Sequence, residues 1–385
     1  MSANAAIGGR AVETCTAIDV ARELGPILAR HANEATDEDK FVTENFELLR
    51  SSGLVEAGVP DELGGAGAKI DELATMLRTL GYHCGSTALA FSMHTHQVAS
   101  PAWRWMHQKA VAVEPLLKRV AKERILLLTS GGSDWIAGSG KAEKVHGGYR
   151  ITARKTFSSG APFGDLLMTS AVFEDRGEPP VVLHFEIPMK SQHVKIMDTW
   201  HTLGMRGTGS HDVLIDGYIV PETAVTVRRE AGKWHPLFQV IATIAFPLVY
   251  SVYLGVAESA RDIAVTLAKR KQSTHHIVEL AGRMDTELTG ARLAHDSMLA
   301  AARLNAPSDA TINQVMIGKQ LVTRHAMATV DLAMELAGSA GFYRAAGLER
   351  RFRDMQAARY HPLQSGPQAE FAGAMALGLT IDRIF

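Results

Sequence analysis

Apolar residues along this 385-residue chain follow two different periods. From Ala11 to about Lys122 they recur every three or four positions, the spacing that turns one face of a helix toward a core. The pattern breaks at Gly53 and across Gly58-Val-Pro-Asp-Glu-Leu-Gly-Gly-Ala-Gly67, where glycine and proline density forbids a helix. About four to six helices fit in this stretch. Between Ile125 and Val227 the runs become short and rich in β-branched and aromatic residues, as in Asp165-Leu-Leu-Met-Thr-Ser-Ala-Val-Phe173, Val181-Val-Leu-His-Phe-Glu-Ile187 and Asp212-Val-Leu-Ile215. His146-Gly-Gly148 reads as a hairpin turn, and the region predicts a β-sandwich or barrel of roughly 100 residues.

After Pro236 the helical period returns. Ile277, Leu280, Met284, Leu288, Ala291, His295, Met298 and Ala302 form one stripe, interrupted only by His295. Ile312, Val315, Val322, Ala326, Val330, Ala333 and Leu336 form another, with Ser308 or Asp309 as its cap and Gly338 as its stop. Long amphipathic helices with short connections predict a four-helix bundle. The expected organisation is an α+β multidomain chain: an all-α domain over 11–123, a β domain over 124–228 and a bundle over 233–385.

Composition narrows the function classes. With 40 Lys+Arg against 41 Asp+Glu, the net charge of -1 offers no basic field for a nucleic acid or an anionic membrane. No run reaches the ~18 consecutive apolar residues of a membrane span. Cys15 and Cys84 are the only cysteines, too few for a disulfide framework, and the N-terminus lacks the basic and apolar regions of a leader; a cytoplasmic protein is expected. Neither His94-x-His96 nor His275-His276 has a fitting third ligand, so no metal is expected. Trp103 and Trp105 read as packing residues.

Four motifs stand out. Gly53-Leu54 precedes Val59-Pro60 and Gly64-Gly65-Ala66-Gly67; Leu128-Thr129-Ser130-Gly131-Gly132-Ser133-Asp134 precedes Lys155-Thr-Phe-Ser-Ser-Gly160; then come Thr202-Leu-Gly-Met-Arg-Gly-Thr-Gly-Ser210 and Glu335-Leu-Ala-Gly-Ser-Ala-Gly-Phe342 with Arg353-Asp354. Hydroxyls and an aromatic ring in this order suit a flavin, whose polar edge needs donors and whose π face takes an apolar side chain. In order and spacing the chain resembles the acyl-CoA dehydrogenase superfamily along essentially its whole length, in the type 2 C-terminal branch that also holds reduced-flavin-dependent monooxygenases. The resemblance implies that family's three-part fold and a flavin, FAD or alternatively FMN, held by Thr129, Ser133, Phe157, Ser158 and Ser159. It also implies that Arg270 and the Gly338 loop complete the site between subunits of a homotetramer. The Phe-Gly that usually follows the arginine is absent, since the chain reads Arg270-Lys-Gln-Ser-Thr274.

Catalysis is where the chain departs from the common pattern. The family's usual glutamate, nine residues after the arginine of Arg-Asp, falls on Pro362, and its alternative place in the first bundle helix holds Ala245; Glu370 serves only if the alignment slips by about two turns. One histidine at His361, another in the segment Met93-His94-Thr-His96 and the Ser159-Gly160 pair instead resemble the monooxygenase branch, which makes His361, His94 and Ser159 the candidate catalytic residues, with Ser159 as a hydroxyl donor. By family prior the first expectation is α,β-dehydrogenation of an acyl-CoA thioester, with electrons passing to an electron-transfer flavoprotein. The alternative is a two-component monooxygenase supplied by a flavin reductase and working through a C4a-hydroperoxide. A flavin-free binding protein is the third.

Overall fold

The structure is a computed structural model and describes residues 16–34, 40–130 and 135–381. Ser133 and Cys15 therefore lie outside the described residues. Five helices come first: α1 (Ala17–Glu34), α2 (Thr43–Ser51), α3 (Ile70–His83), α4 (Gly85–Gln108) and α5 (Glu114–Glu123). The glycine-rich loop after Gly58 holds only a short 3-10 turn, Asp61–Leu63. Trp103 and Trp105 tie the end of α4 to its surroundings, through Asn305 and Glu114 respectively.

The middle of the chain forms β1 (Leu127–Thr129), β2 (Lys141–Val145), β3 (Gly148–Lys155), β4 (Leu166–Phe173), β5 (Val181–Pro188), β6 (Val194–Ile196), β7 (Val213–Pro221) and β8 (Val227–Glu230). They join in one eight-stranded mixed sheet of order β6-β7-β3-β2-β4-β5-β8, with β1 added in parallel to β4. One hydrogen-bonded sheet of this kind carries the β domain expected from the short strand runs, as a sandwich or a barrel. Alternation cannot distinguish these, because each needs one buried face per strand. β3 shows it plainly: Tyr149, Ile151, Ala153 and Lys155 are buried while Arg150, Thr152 and Arg154 are exposed. The predicted hairpin joins β2 to β3, pairing Val145 with Gly148.

The C-terminal part is built on α6 (Pro236–Ala268), α7 (His275–Arg303) and α8 (Asp309–Ala337), followed by α9 (Ser339–Phe342), α10 (Leu348–Met355) and α11 (Ser365–Leu377). Three long helices make the frame, and the short α10 and α11 close against it where a fourth long helix was expected. Both predicted stripes face inward. Leu280, Met284, Leu288 and Met298 of α7 and Ile312, Val315, Val322 and Val330 of α8 are buried. Burial of each such side chain contributes roughly 1.5–3 kcal/mol. Ser308 caps α8 in a capping box with Thr311, and Gly338 ends it at φ 60°. The histidine inside the α7 stripe is satisfied: His295 Nε2 lies 2.9 Å from Ser251 Oγ and from the Pro247 carbonyl. α6 is long and apolar enough to cross a membrane, yet 94% of its most apolar window is buried inside the protein, where it packs against α3, α4, α7 and α8.

Candidate active site

Two groups of side chains, one on the sheet side and one in the bundle, make up the site. On the sheet side the chain leaves β3 through Phe157, whose backbone is left-handed (φ 56°) and whose ring is 52% exposed. An aromatic residue held in that sparsely populated conformation and displayed to solvent points to a ligand surface. Trp200 meets its ring edge-on at 6.0 Å. Two residues on, Ser159 Oγ lies 2.8 Å from Ser210 Oγ, which lies 2.6 Å from Thr208 Oγ1. Thr208 Oγ1 also reaches the Met205 carbonyl at 2.9 Å. A carbonyl can only accept, so Thr208 donates to it, Ser210 donates to Thr208, and Ser159 donates to Ser210. The chain of hydroxyls therefore leaves Ser159 with lone pairs for a ligand N–H, which corrects its expected role as a donor.

The loop carrying Met205 is itself tied to the bundle. Asp354 Oδ1 accepts the Met205 N–H at 2.5 Å, and a β-carbon on Gly204 would stand 2.0 Å from the Arg353 carbonyl, so only glycine fits there. This close approach is the use of the Gly-x-Arg-Gly and Arg-Asp motifs: they lock the hydroxyl chain to α10.

On the bundle side, His361 Nε2 lies 2.7 Å from Tyr253 Oη, with the ring packed against Tyr250 and Tyr253. Burial pushes the Tyr253 hydroxyl well above its ordinary value, so it is protonated and donates. The proton of neutral His361 then sits on Nδ1, which has no protein partner among the described residues. Burial, the charge of Lys319 and the nearby His96 bring His361 down to about 3. His96 is also lowered to about 4, by burial and by His94. No carboxylate acts on either ring among the described residues, so both are neutral near pH 7.

The predicted site residues divide. His94 is 2% exposed, with Nε2 donating to the Val55 carbonyl at 2.8 Å and Nδ1 accepting the Leu127 N–H at 3.0 Å. Both ring nitrogens staple α4 to β1 and to the loop after α2, which makes His94 a structural residue and brings His96, two positions on, to His361 in its place. Ser158 is turned into the core, its hydroxyl toward the Lys155 carbonyl and its N–H on the His211 carbonyl. Thr129 does not stand on a strand adjacent to the one leading to Phe157: β1 pairs with β4, and β3 with β2 and β7. The two segments meet instead where Leu128 packs on Gly160 and Gly164. Arg270 is exposed at the end of α6, and its neighbour Lys271 donates to the Leu336 and Ala337 carbonyls just before Gly338. Glu370 is exposed on α11.

The residues present fit a flavin: a displayed aromatic ring for its face, a polar edge of hydroxyls beside it, and neutral imidazoles in the bundle to which that loop is tied. Comparison with known proteins agrees. The family models "Acyl-CoA dehydrogenase, N-terminal domain" and "Acyl-CoA dehydrogenase, C-terminal domain" match residues 16–117 and 247–361, together more than half of the chain. The chain is 26% identical to the amino sugar nitrososynthase DnmZ of Streptomyces peucetius, over 94% of this chain and 93% of that protein. It is likewise 26% identical to a pigment production hydroxylase of a Rhodococcus species, over 94% and 97%. The solved structure of KijD3 in complex with FMN and an amino-keto sugar nucleotide superposes with a TM-score of 0.87 at 25% identity, over 96% of this chain and 98% of that one. Fold, site chemistry and relatives converge: this chain belongs to the acyl-CoA dehydrogenase superfamily and is a flavin-dependent oxidoreductase.

Proposed function

We propose that this protein is a monooxygenase that works with reduced flavin, rather than an acyl-CoA dehydrogenase. The observation that carries this reading is the pair His361 and His96, neutral and without a carboxylate, where a dehydrogenase needs a base for a weakly acidic α-proton. Ala245, Pro362 and the exposed Glu370 supply none. The named activities of the relatives, a nitrososynthase and a hydroxylase, support oxygenation of a small molecule in place of the expected acyl-CoA chemistry. FMN is the proposed cofactor in place of FAD, supported by the FMN in KijD3 and by the missing Phe-Gly after Arg270. A separate flavin reductase supplies it in reduced form. A homotetramer remains the proposed assembly, with Phe342 and Tyr343 beside the Gly338 loop, 80% and 70% exposed, available to a neighbouring subunit.

Bound flavin supplies the redox chemistry and the reaction with oxygen. The protein's part is hydrogen bonding and exclusion of water. Phe157 would offer its ring to the flavin, with Trp200 bracing it, and Ser159, with its proton committed to Ser210, would accept a flavin N–H. His361 Nδ1–H would donate to an oxygen of the substrate; held neutral, it is a donor and not a base near pH 7. To test this, FMN is reduced anaerobically with the protein and then exposed to oxygen, and oxidised FMN-bound protein is separately mixed with a panel of acyl-CoA thioesters. Release of hydrogen peroxide slower than from free reduced FMN, with no bleaching by any thioester, is the expected result. Anaerobic bleaching by an acyl-CoA overturns the proposal. His361→Ala is expected to keep the flavin and to lower product formation about 100-fold.

A further inference from the structure

Helix α8 carries a lysine inside its apolar stripe. Lys319 stands between Val315 and Val322 on the buried face and is 1% exposed. Its Nζ donates to the His361 carbonyl at 2.9 Å and to the Leu363 carbonyl, and Gln320 Nε2 adds a second bond to Leu363 at 3.3 Å. The remaining side of the ammonium faces the rings of Phe246 and Tyr250, whose centroids lie 5.9 and 5.8 Å away. The titratable groups beside it are Tyr250 of α6 and His361, which in turn faces Tyr253 of α6 and His96 of α4; among the described residues no carboxylate pairs with it. Burial, the only cause of its shift, lowers it to about 7.

A buried cation without a counter-charge is costly, and methionine would complete the stripe at no such cost. Both carbonyls that satisfy this cation belong to the segment carrying the site imidazole. We propose that Lys319 is a positioning residue: its two carbonyl bonds fix the His361–Leu363 segment, and its ammonium charge holds the neighbouring imidazole in the uncharged form that accepts the Tyr253 hydroxyl at Nε2. His361 is thereby left with one free donor, Nδ1–H, at a fixed place. This rests on the reading of His361 as the ligand-facing imidazole, although the coupling of lysine to histidine is a property of the chain alone.

The test follows the His361 Cε1–H resonance across pH in the full chain labelled with 13C-histidine, the signal being assigned by its loss in His361→Gln. In the wild type His361 is expected to stay neutral down to about pH 4.5. In Lys319→Met and Lys319→Gln its midpoint should rise by about one pH unit or more, and Lys319→Arg should restore the low value. The glutamine variant keeps a donor without a charge, so it separates charge from clamp. The same midpoint in wild type, Lys319→Met and Lys319→Gln overturns the inference. A wild-type midpoint near 6.5 overturns it as well, whether or not the variants fold. A dehydrogenase result in the acyl-CoA assay would sink the monooxygenase reading and leave this titration standing.

Discussion

Acid should destabilise this protein through its buried neutral histidines, His94 and His96, with His361 acting in the same direction. His94 and His96 are buried and neutral, each lowered to about 4 from 6.5. Above pH 6.5 neither state binds a proton and they contribute nothing to pH dependence. As pH falls from 6.5 toward 4 the unfolded chain protonates both while the folded chain does not, so stability falls. Each histidine costs about 1.4 kcal/mol per pH unit across that interval, about 3 kcal/mol for each and about 7 kcal/mol for the two, against a total stability of about 5–15 kcal/mol for a folded domain. Asp285 and Glu349, held below the usual carboxylate range by hydrogen bonds from Arg261 and Arg353, respond only at the bottom of this window, and Asp354, raised by burial, acts with the opposite sign. The assay is urea denaturation at half-unit intervals between about pH 7 and 4.5 for the wild type and for His96→Gln, which breaks no side-chain hydrogen bond to another of the described residues. The variant should lose about 1.4 kcal/mol per pH unit from the slope. Parallel slopes would show that His96 is not held neutral by burial, and the argument for a neutral imidazole pair would fail with it.

Three further outcomes are expected. His94→Ala leaves the Val55 carbonyl and the Leu127 N–H buried without partners and should cost about 2–5 kcal/mol, seen as a lower melting temperature; an unchanged Tm refutes the staple. Asp354→Asn removes the charge from the short bond to Met205 N–H and should weaken flavin binding by loosening the Thr208–Ser210 chain, measured by FMN fluorescence; unaltered affinity argues against that link. Ser159→Phe fills the polar edge and should abolish the flavin absorbance, and full flavin occupancy in that variant would remove the hydroxyl chain from the site.

Sequence alone was enough for the order of helices, sheet and bundle, the inward faces of α7 and α8, the capped start of α8 and the family resemblance, because each depends on residues near one another in the chain. Spacing of three and four brings Met284, Leu288 and Met298 to one face whatever they pack against. The motifs around Thr129, Phe157, Met205 and Asp354 marked the site for the same reason: left-handed turns and close approaches demand particular residues locally. One signal in the pattern went unread. The α8 stripe passes over Lys319 between Val315 and Val322, and a lysine at a core position of an otherwise apolar stripe marks a buried cation with a task.

Tertiary structure decided the roles. His94 and His96 are two residues apart on one helix and of one chemical type, so nothing local separates them. Only the approach of Val55 and Leu127 consumes both nitrogens of the first, and only the fold brings the second to His361. Ser159 is a donor or an acceptor depending on a chain of bonds that ends on a carbonyl of another loop. Which strands lie side by side likewise turns on which edges meet, and alternation within a strand is blind to its neighbours. Local sequence sets which face of each element is buried; burial, neighbouring charges and hydrogen bonds between segments far apart in the chain set the protonation and direction of the groups at the site, and these exist only once the chain has folded.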